Sequence, residues 1–243
     1  SKTTVVTVTT SLSLVWSDEF DAATASAPDP NKWGYDIGTG SGGWGNNEQE
    51  YYTNRTTNSI VSGGTLKITA LKESFSGSNY TSARLLSKGK FSFKYGKVDI
   101  SAKLPAGGGT WPALWMLGDN IGSAGWPACG EIDIMEHIGN SLNKIYGTLH
   151  YPGRSGGNAD VATTMINNAT TSFHIYTLEW TDVSIKIYVD DVVFYTFANK
   201  ATMPFNQNFF FIFNVAMGGN LGGAIDPAFT SGVMEVDYVR VYQ

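Results

Sequence analysis

Strand-forming segments recur along the whole chain, and none of its 243 residues belongs to a stretch with the apolar period of a long helix. The clearest predicted strands are residues 208–216, an almost continuous apolar run, and residues 233–242 near the C-terminus. The 28 glycines and the 13% of aromatic residues are typical of a protein with many turns and strands. We therefore predict one all-β domain over residues 1–243, folded as an antiparallel sandwich.

Four further segments carry local predictions. Residues 5–15 alternate Thr and Ser with Val and Leu, which predicts edge strands. In residues 90–104 the phase of the apolar positions flips at Gly96, which predicts one long strand with a bulge or kink there. Residues 153–168 are polar and are predicted as a long loop. The glycine-rich residues 38–47 lack the Lys-Ser/Thr of a phosphate-binding loop, so they form either a surface loop or a loop beside a cleft.

Residues 130–137 (GEIDIMEH) place three carboxylates within six positions. Side chains on a strand alternate between faces, so Glu131 and Asp133 share a face. Strict alternation would put Met135 beside them, and a β-bulge supplies the extra residue that brings Glu136 back to that face. We predict that these three side chains form an acid row on a concave sheet.

Three neighbouring carboxylates repel one another, which raises the pKa of at least one of them. A glycosidase needs this arrangement, with one ionised carboxylate as nucleophile and one protonated acid for the leaving oxygen. Same-face positions are about 6.6 Å apart, so Glu131 and Glu136 must lean together to reach the ~5–5.5 Å of a retaining pair. Spacing alone leaves retaining and inverting chemistry open, as well as Ca²⁺ binding or simple exposure to water.

Aromatic residues surround the acid row in the sequence. Trp111, Trp115 and Trp126 precede it, and Trp44 lies in the glycine-rich loop. Flat aromatic faces stack on the apolar faces of sugar rings, although any one Trp is more often a core residue.

Composition excludes other classes of protein. The net charge of −5 and the pI near 5.1 do not favour binding to nucleic acid or to an anionic membrane surface. One cysteine, Cys129, excludes an internal disulfide and a metal site built on two cysteines. The sequence contains no run of 18 apolar residues that would predict a transmembrane helix. The chain starts without a basic-then-apolar leader, so we expect either that a signal peptide has been removed or that this is a trimmed catalytic domain.

Two adjoining motifs make the sequence resemble a known family. The stretch GTWPALWML (residues 109–117), followed by GWPACGEIDIMEHIG (residues 125–139), resembles the laminarinase-type enzymes of glycoside hydrolase family 16. Further matches occur in family order, namely WSDEF, EYYT, SARLLSKGKFSFKYGKVDISAKLP, GTLHYPG, YTLEW, NVAMGG and VDYVRVYQ. The resemblance implies a β-jelly-roll sandwich with a long concave substrate cleft and retaining endo-hydrolysis of β-1,3-glucan.

The resemblance also implies roles for single residues. Glu131 matches the nucleophile, Asp133 the assisting acid and Glu136 the general acid/base. The inserted Met135 is typical of the laminarinase branch rather than of lichenases, while other bulged branches, such as agarases and carrageenases, stay open. Residues 153–172 and 22–31 depart from the family pattern, which leaves mixed-linkage β-1,3-1,4-glucan open as an alternative substrate.

Further positions match the cleft and a metal site. The candidate substrate contacts are Trp111, Trp115, Trp126, Arg84, Asn46 and His150, where a surface salt bridge for Arg84 and a core position for His150 are the alternatives. Glu19, the Gly64 carbonyl and Asp237 match a structural Ca²⁺ site on the convex side, or else the two acids are ordinary surface residues.

The expected partner is a β-glucan polysaccharide, with no nucleic acid, no membrane and no organic cofactor for catalysis. We expect a monomer that is secreted or at the cell surface, of bacterial origin. Two other classes stay open. One is a non-catalytic β-glucan-binding lectin on the same fold, and the other is a calcium-stabilised module in which the acid row binds the metal.

Overall fold

The structure, a computed structural model, describes residues 12–243. In this range seventeen strands form two sheets. In chain order the strands are β1 (Leu14–Asp18), β2 (Gly34–Asp36), β3 (Glu50–Tyr52), β4 (Ser59–Ser62), β5 (Thr65–Phe75), β6 (Ser78–Ser82), β7 (Arg84–Leu86), β8 (Gly96–Lys103), β9 (Thr110–Gly118), β10 (Glu131–His137), β11 (Lys144–His150), β12 (Asp160–Met165), β13 (His174–Trp180), β14 (Ser184–Val189), β15 (Val192–Ala198), β16 (Phe209–Met217) and β17 (Ser231–Tyr242).

One sheet has ten strands and the other seven. The larger follows the order β15-β14-β13-β8-β17-β5-β6-β3, with β1 beside β17 and β4 beside β5. The smaller follows the order β12-β11-β10-β9-β16-β7-β2. The named strand pairs are antiparallel except for β3 with β6. The prediction of an antiparallel jelly-roll sandwich is confirmed.

Helical structure is short. Two α-helices of four residues each are present, α1 (Ile121–Ala124) and α2 (Gly219–Gly222). Among residues 12–243, none of the helices has the length and apolar character needed to cross a membrane.

Strand β16 shows how the core is built. All nine of its residues are buried, as the apolar run predicts. Phe209, Phe211 and Phe213 point between the two sheets and join the main core. The alternate residues Phe210 and Ile212 lie on the other face of the seven-stranded sheet, in a separate smaller cluster. Each fully buried side chain of this size stabilises the fold by about 1.5–3 kcal/mol relative to exposure, so β16 anchors the sheet.

Two local predictions are wrong. Residues 90–104 do not form one kinked strand, because β8 begins at Gly96. Within residues 90–95 the sheet pairing is limited to an isolated β-bridge between Phe93 and Phe209. Tyr95 and Gly96 both have positive φ, so the phase flip marks a turn into the strand. A Cβ on Gly96 would lie 2.4 Å from the Tyr242 carbonyl oxygen, which explains the glycine.

Residues 153–168 are not wholly a loop, since they contain β12, which pairs with β11 at the edge of the sheet. Its side chains alternate between exposed and half-buried, so the strand carries no apolar face that a pattern could reveal. Of the edge strands predicted over residues 5–15, residues 5–11 lie outside the described residues, and the described strand there is β1.

Candidate active site

The acid row lies on β10 and depends on a bulge. Against β9, Asp133 pairs with Trp115 while Met135 pairs with Leu114, so Ile134 has no partner of its own. The register against β11 also shifts, between Asp133 and Glu136. Ile134 and Met135 are consecutive and both point into the core. The predicted bulge is therefore confirmed, with the unpaired position at Ile134.

The three carboxyl groups face one cleft on the outer side of the seven-stranded sheet. The cleft has a volume of about 590 Å³. Alternate residues of β9 and β11 line it beside the acid row, while their neighbours Leu114, Met116 and Leu149 enter the core. It contains all nine residues that the sequence predicts for catalysis and substrate contact: Glu131, Asp133, Glu136, Trp111, Trp115, Trp126, Arg84, Asn46 and His150.

The Glu131 carboxylate has one hydrogen-bond donor and lies close to the His150 ring. The Trp126 indole Nε1–H donates to Glu131 Oε2 over 2.8 Å. His150 Nε2 lies 3.4 Å from Glu131 Oε1 and 3.3 Å from Asp133 Oδ2. His150 is therefore not a core residue. Its Nε2 lies beside the first two acids of the row.

The tautomer of His150 follows from its other nitrogen. The backbone N–H of Gly156 donates to His150 Nδ1 over 3.1 Å, so Nδ1 carries a lone pair. In the neutral ring the proton is then on Nε2, which faces the two carboxylates. Atoms of Glu131, Asp133 and His150 lie within 4.8 Å of one another, as metal ligands would. An Nε2–H offers no lone pair to a cation, so the geometry favours a hydrogen-bonded acid row over a metal site.

Glu136 is held from two sides. Trp111 Nε1–H donates to its Oε1 over 3.0 Å, and Thr148 Oγ1–H donates to its Oε2 over 2.8 Å. Trp111 thus touches the acid row directly, whereas the aromatic pattern predicts only sugar stacking. Thr148 was not predicted, although it lies directly opposite Asp133 in the strand pairing.

Burial and mutual repulsion raise the pKa values of the row, as its spacing predicts. Burial, then the Asp133 charge, raises the pKa of Glu131 to about 8. Burial, then the Glu136 charge, raises the pKa of Asp133, and burial raises the pKa of Glu136 against the hydrogen bonds from Thr148 and Trp111. The row therefore retains protons at a pH where isolated carboxyl groups are ionised. It can supply a carboxylate and a carboxylic acid side by side.

The far wall of the cleft is aromatic and cationic. The Arg84 guanidinium lies 4.5 Å from the Trp44 ring centroid and 4.9 Å from that of Trp115. Its Nε is 3.0 Å from Asp36 Oδ2, so Arg84 both forms the salt bridge and lines the cleft. The glycine-rich loop that carries Trp44 thus lies beside the cleft, which decides between its two predicted positions.

Sequence reasoning missed two polar residues of this wall. Glu48 accepts a hydrogen bond from Asn46 Nδ2 over 3.1 Å, and Asn214 Oδ1 accepts one from Trp115 Nε1 over 2.8 Å. Both line the cleft. A lone Asn in the otherwise apolar β16 was the available signal for Asn214, since a polar side chain in a buried strand needs a partner.

The predicted calcium ligands lie on the other sheet or at its edge. Both Glu19 carboxylate oxygens accept hydrogen bonds from the Arg240 guanidinium, at 2.8–3.3 Å. That pairing lowers the pKa of Glu19. Asp237 Oδ2 accepts a hydrogen bond from Ser101 Oγ over 3.4 Å. A cation at Glu19 would have to displace the guanidinium, so this carboxylate fits the ion only after Arg240 moves.

Comparison with known proteins gives consistent matches. The sequence model of the family described as "Glycosyl hydrolases family 16" matches residues 46–240. A curated beta-glucanase of Rhodothermus marinus is 46% identical over 95% of this chain and 85% of that protein. The solved laminarinase catalytic domain of Thermotoga maritima is 43% identical, with a TM-score of 0.88 over 96% of this chain and 98% of that chain. SCLam, a non-specific endo-beta-1,3(4)-glucanase, is 39% identical, with a TM-score of 0.90 over 96% of this chain and 95% of that chain.

Proposed function

The chain belongs to glycosyl hydrolase family 16, and we propose that it is an endo-1,3-β-glucanase that cleaves laminarin-type β-1,3-glucan with retention of configuration. The observation that carries the proposal is the convergence of three carboxyl groups and two indole N–H donors in one cleft lined by four tryptophans. A polymer needs a long open cleft, and sugar rings stack on indole faces.

The proposed reaction is a double displacement. The Glu131 carboxylate attacks the anomeric carbon and the glycosidic C–O bond breaks, while the Glu136 carboxylic acid gives its proton to the departing oxygen. A water molecule then attacks the glycosyl-enzyme, with Glu136 as the base that accepts its proton. The glucan leaves with its original β configuration, and Glu131 is regenerated.

The neighbours of the row prepare each group for its part. The nearby His150 ring and the N–H donor of Trp126 favour the charged form of Glu131, which opposes the effect of burial on its pKa. Asp133 is buried between the two glutamates, and burial together with the Glu136 charge raises its pKa, so the Asp133–Glu136 pair retains a proton that Glu136 can donate. Carboxyl groups and water suffice for this chemistry, so we propose no organic cofactor.

Mixed-linkage β-1,3-1,4-glucan is the second candidate substrate. The likeness to SCLam favours it, as do the divergent residues 153–172, because His150 accepts its backbone hydrogen bond from Gly156 within them. A non-catalytic lectin is the weaker alternative, since all three carboxyl groups of the row are in place.

One experiment separates these functions. The wild type and Glu131→Ser are incubated with laminarin and with mixed-linkage glucan, and new reducing ends are measured together with binding to each polymer. The proposal predicts strong release from laminarin by the wild type, and a variant that binds but does not cleave. Release from mixed-linkage glucan alone would make that polymer the assigned substrate. No release of reducing ends from any β-glucan would refute the proposal that the protein is a glucanase.

Three expectations from the sequence stay proposals. We propose that Glu19, the Gly64 carbonyl and Asp237 hold a structural Ca²⁺ that competes with Arg240 for Glu19. We propose a location outside the cell or at its surface, because a polysaccharide of this size does not cross a membrane. We also propose that the protein acts as a monomer.

A further inference from the structure

A line of hydrogen bonds runs from the cleft into the protein beneath its aromatic wall. Trp115 Nε1–H donates to Asn214 Oδ1 over 2.8 Å, and Asn214 Nδ2–H donates to the Tyr52 hydroxyl oxygen over 3.0 Å. The Tyr52 hydroxyl donates in turn to Glu48 Oε2 over 2.9 Å. We call this line, Trp115–Asn214–Tyr52–Glu48, the buried chain.

The hydrogen bonds of the buried chain all run from donor to acceptor in the same direction, and they end at Glu48. Every donor points towards Glu48, whose other oxygen, Oε1, accepts from Asn46 Nδ2. Both carboxyl oxygens of Glu48 therefore accept hydrogen bonds, one from Tyr52 and one from Asn46. The Trp115 indole can only donate, so it must face the amide oxygen of Asn214, and the amide nitrogen then faces Tyr52. The amide of Asn214 can therefore take one orientation only.

A second buried acid, Glu50, lies beside Glu48. Glu50 is fully buried, and its Oε2 accepts a hydrogen bond from the Met217 backbone N–H over 2.6 Å. Burial, followed by the charge of Glu48, raises the pKa of Glu50 well above its usual range. Glu50 therefore retains its proton beside the inner end of the buried chain.

The indole at the outer end of the buried chain faces the reaction centre. Trp115 lies directly opposite Asp133 in the strand pairing, and its ring packs against the Arg84 guanidinium. The Trp44 ring packs on Tyr52, with the ring centroids 5.9 Å apart. Trp44 thus packs directly on Tyr52, and Trp115 is linked to it through Asn214. Tyr52 itself has no exposed surface and cannot touch a glucan.

We propose that Tyr52 is a positioning residue that fixes the Trp115 indole through Asn214 and Asn46 through Glu48, and so determines the affinity of the cleft for glucan without taking part in bond cleavage. The inference rests on the proposed function for its substrate class. A prepositioned wall avoids the entropy cost of ordering these side chains when the sugar binds, so loss of the buried chain should weaken binding and spare the chemical step.

Tyr52→Phe tests the inference, because it removes one hydroxyl group and no surface. Hydrolysis of laminarin should show KM raised roughly five- to tenfold, as expected for one lost buried hydrogen bond, with kcat within about twofold of the wild type. Asn214→Asp, which keeps the acceptor for Trp115 but replaces the donor to Tyr52 by a charge, should raise KM further.

Tyr176→Phe is the matched control. Tyr176 is also fully buried, and its hydroxyl has no hydrogen-bond partner within residues 12–243, so its loss should leave KM and kcat unchanged. A Tyr52→Phe enzyme with unchanged KM, or with a lowered kcat at unchanged KM, would overturn the proposal, whatever its melting temperature.

A binding measurement keeps this inference distinct from the proposed function. Calorimetry with a β-1,3-gluco-oligosaccharide is repeated in the Glu131→Ser background, with and without Tyr52→Phe. If the wild type releases no reducing ends but the oligosaccharide binds, the proposed function fails while a five- to tenfold loss of affinity in the double variant still supports the inference. Equal affinities would overturn the inference alone, and absence of binding in Glu131→Ser together with no release of reducing ends by the wild type would overturn both.

Discussion

Replacing Thr148 by Val should move the alkaline limit of activity to higher pH. Thr148 is nearly buried, and its hydroxyl donates to Glu136 Oε2 over 2.8 Å. Val has almost the same shape without the hydroxyl group, so the change removes the hydrogen bond and little else. That bond favours the ionised form of Glu136 and holds its pKa down, so the pKa rises when the bond is lost.

The size of the shift follows from the strength of the bond. A hydrogen bond to a charged group contributes about 1.5–3 kcal/mol, and one pKa unit corresponds to about 1.4 kcal/mol. Glu136 is only 8% exposed, so water does not replace the lost donor fully. We expect the pKa of Glu136 to rise by about 1–2 units. The shift appears in the acid row as a whole, because its groups share protons.

The pH dependence of kcat/KM on laminarin measures this shift. The descending alkaline limb reports loss of the proton that Glu136 must donate, and it should move up by about 1–2 pH units in Thr148→Val. Thr148→Ser keeps the hydroxyl group and should retain the limb of the wild type. A limb that stays in place, or that moves to lower pH, would refute the assignment of Glu136 as the acid.

Three further predictions concern stability. The pKa of Glu131 is raised in the folded protein, so the stability that this group contributes is complete below about pH 4.5 and is lost as pH rises through about 8. Over this range the free energy of unfolding should fall by at most about 1.4 kcal/mol per pH unit for this group. Glu131→Gln should flatten this dependence of the unfolding free energy on pH, as measured by denaturant titrations. Ile134→Ala, which empties a fully buried site at the bulge, should lower the free energy of unfolding by about 2–5 kcal/mol, and a loss below about 1 kcal/mol would contradict its place in the core. Chelation of Ca²⁺ should lower the melting temperature by a few degrees without changing kcat, Asp237→Asn should abolish the response, and an unchanged melting temperature in the wild type would refute the calcium site.

The acid row shows how far sequence reasoning reaches. Strand alternation has a period of two, so Glu136 three residues after Asp133 was out of phase, and only an inserted residue could restore it. The alternation requires this insertion whichever strands lie beside β10. The spacing also predicted the raised pKa values, because repulsion between close carboxyl groups does not depend on the rest of the fold.

The parts that escaped prediction depend on contacts between distant segments. The Tyr52–Asn214 hydrogen bond joins residues 162 positions apart, and neither residue carries a local pattern that points to the other. Strand β12 escaped because its neighbour β11 supplies the backbone hydrogen bonds whatever its side chains are. The beginning of β8 at Gly96 was obscured because a turn into a strand and a bulge within one both shift the apolar phase.

Trapping of the glycosyl-enzyme tests the central claim most directly. The protein is treated with a 2-deoxy-2-fluoro β-1,3-glucoside carrying a good leaving group, digested, and sequenced by tandem mass spectrometry. The account predicts one added glycosyl group, located on Glu131. A label on Asp133 or Glu136, or an initial product of hydrolysis with inverted anomeric configuration, would contradict it.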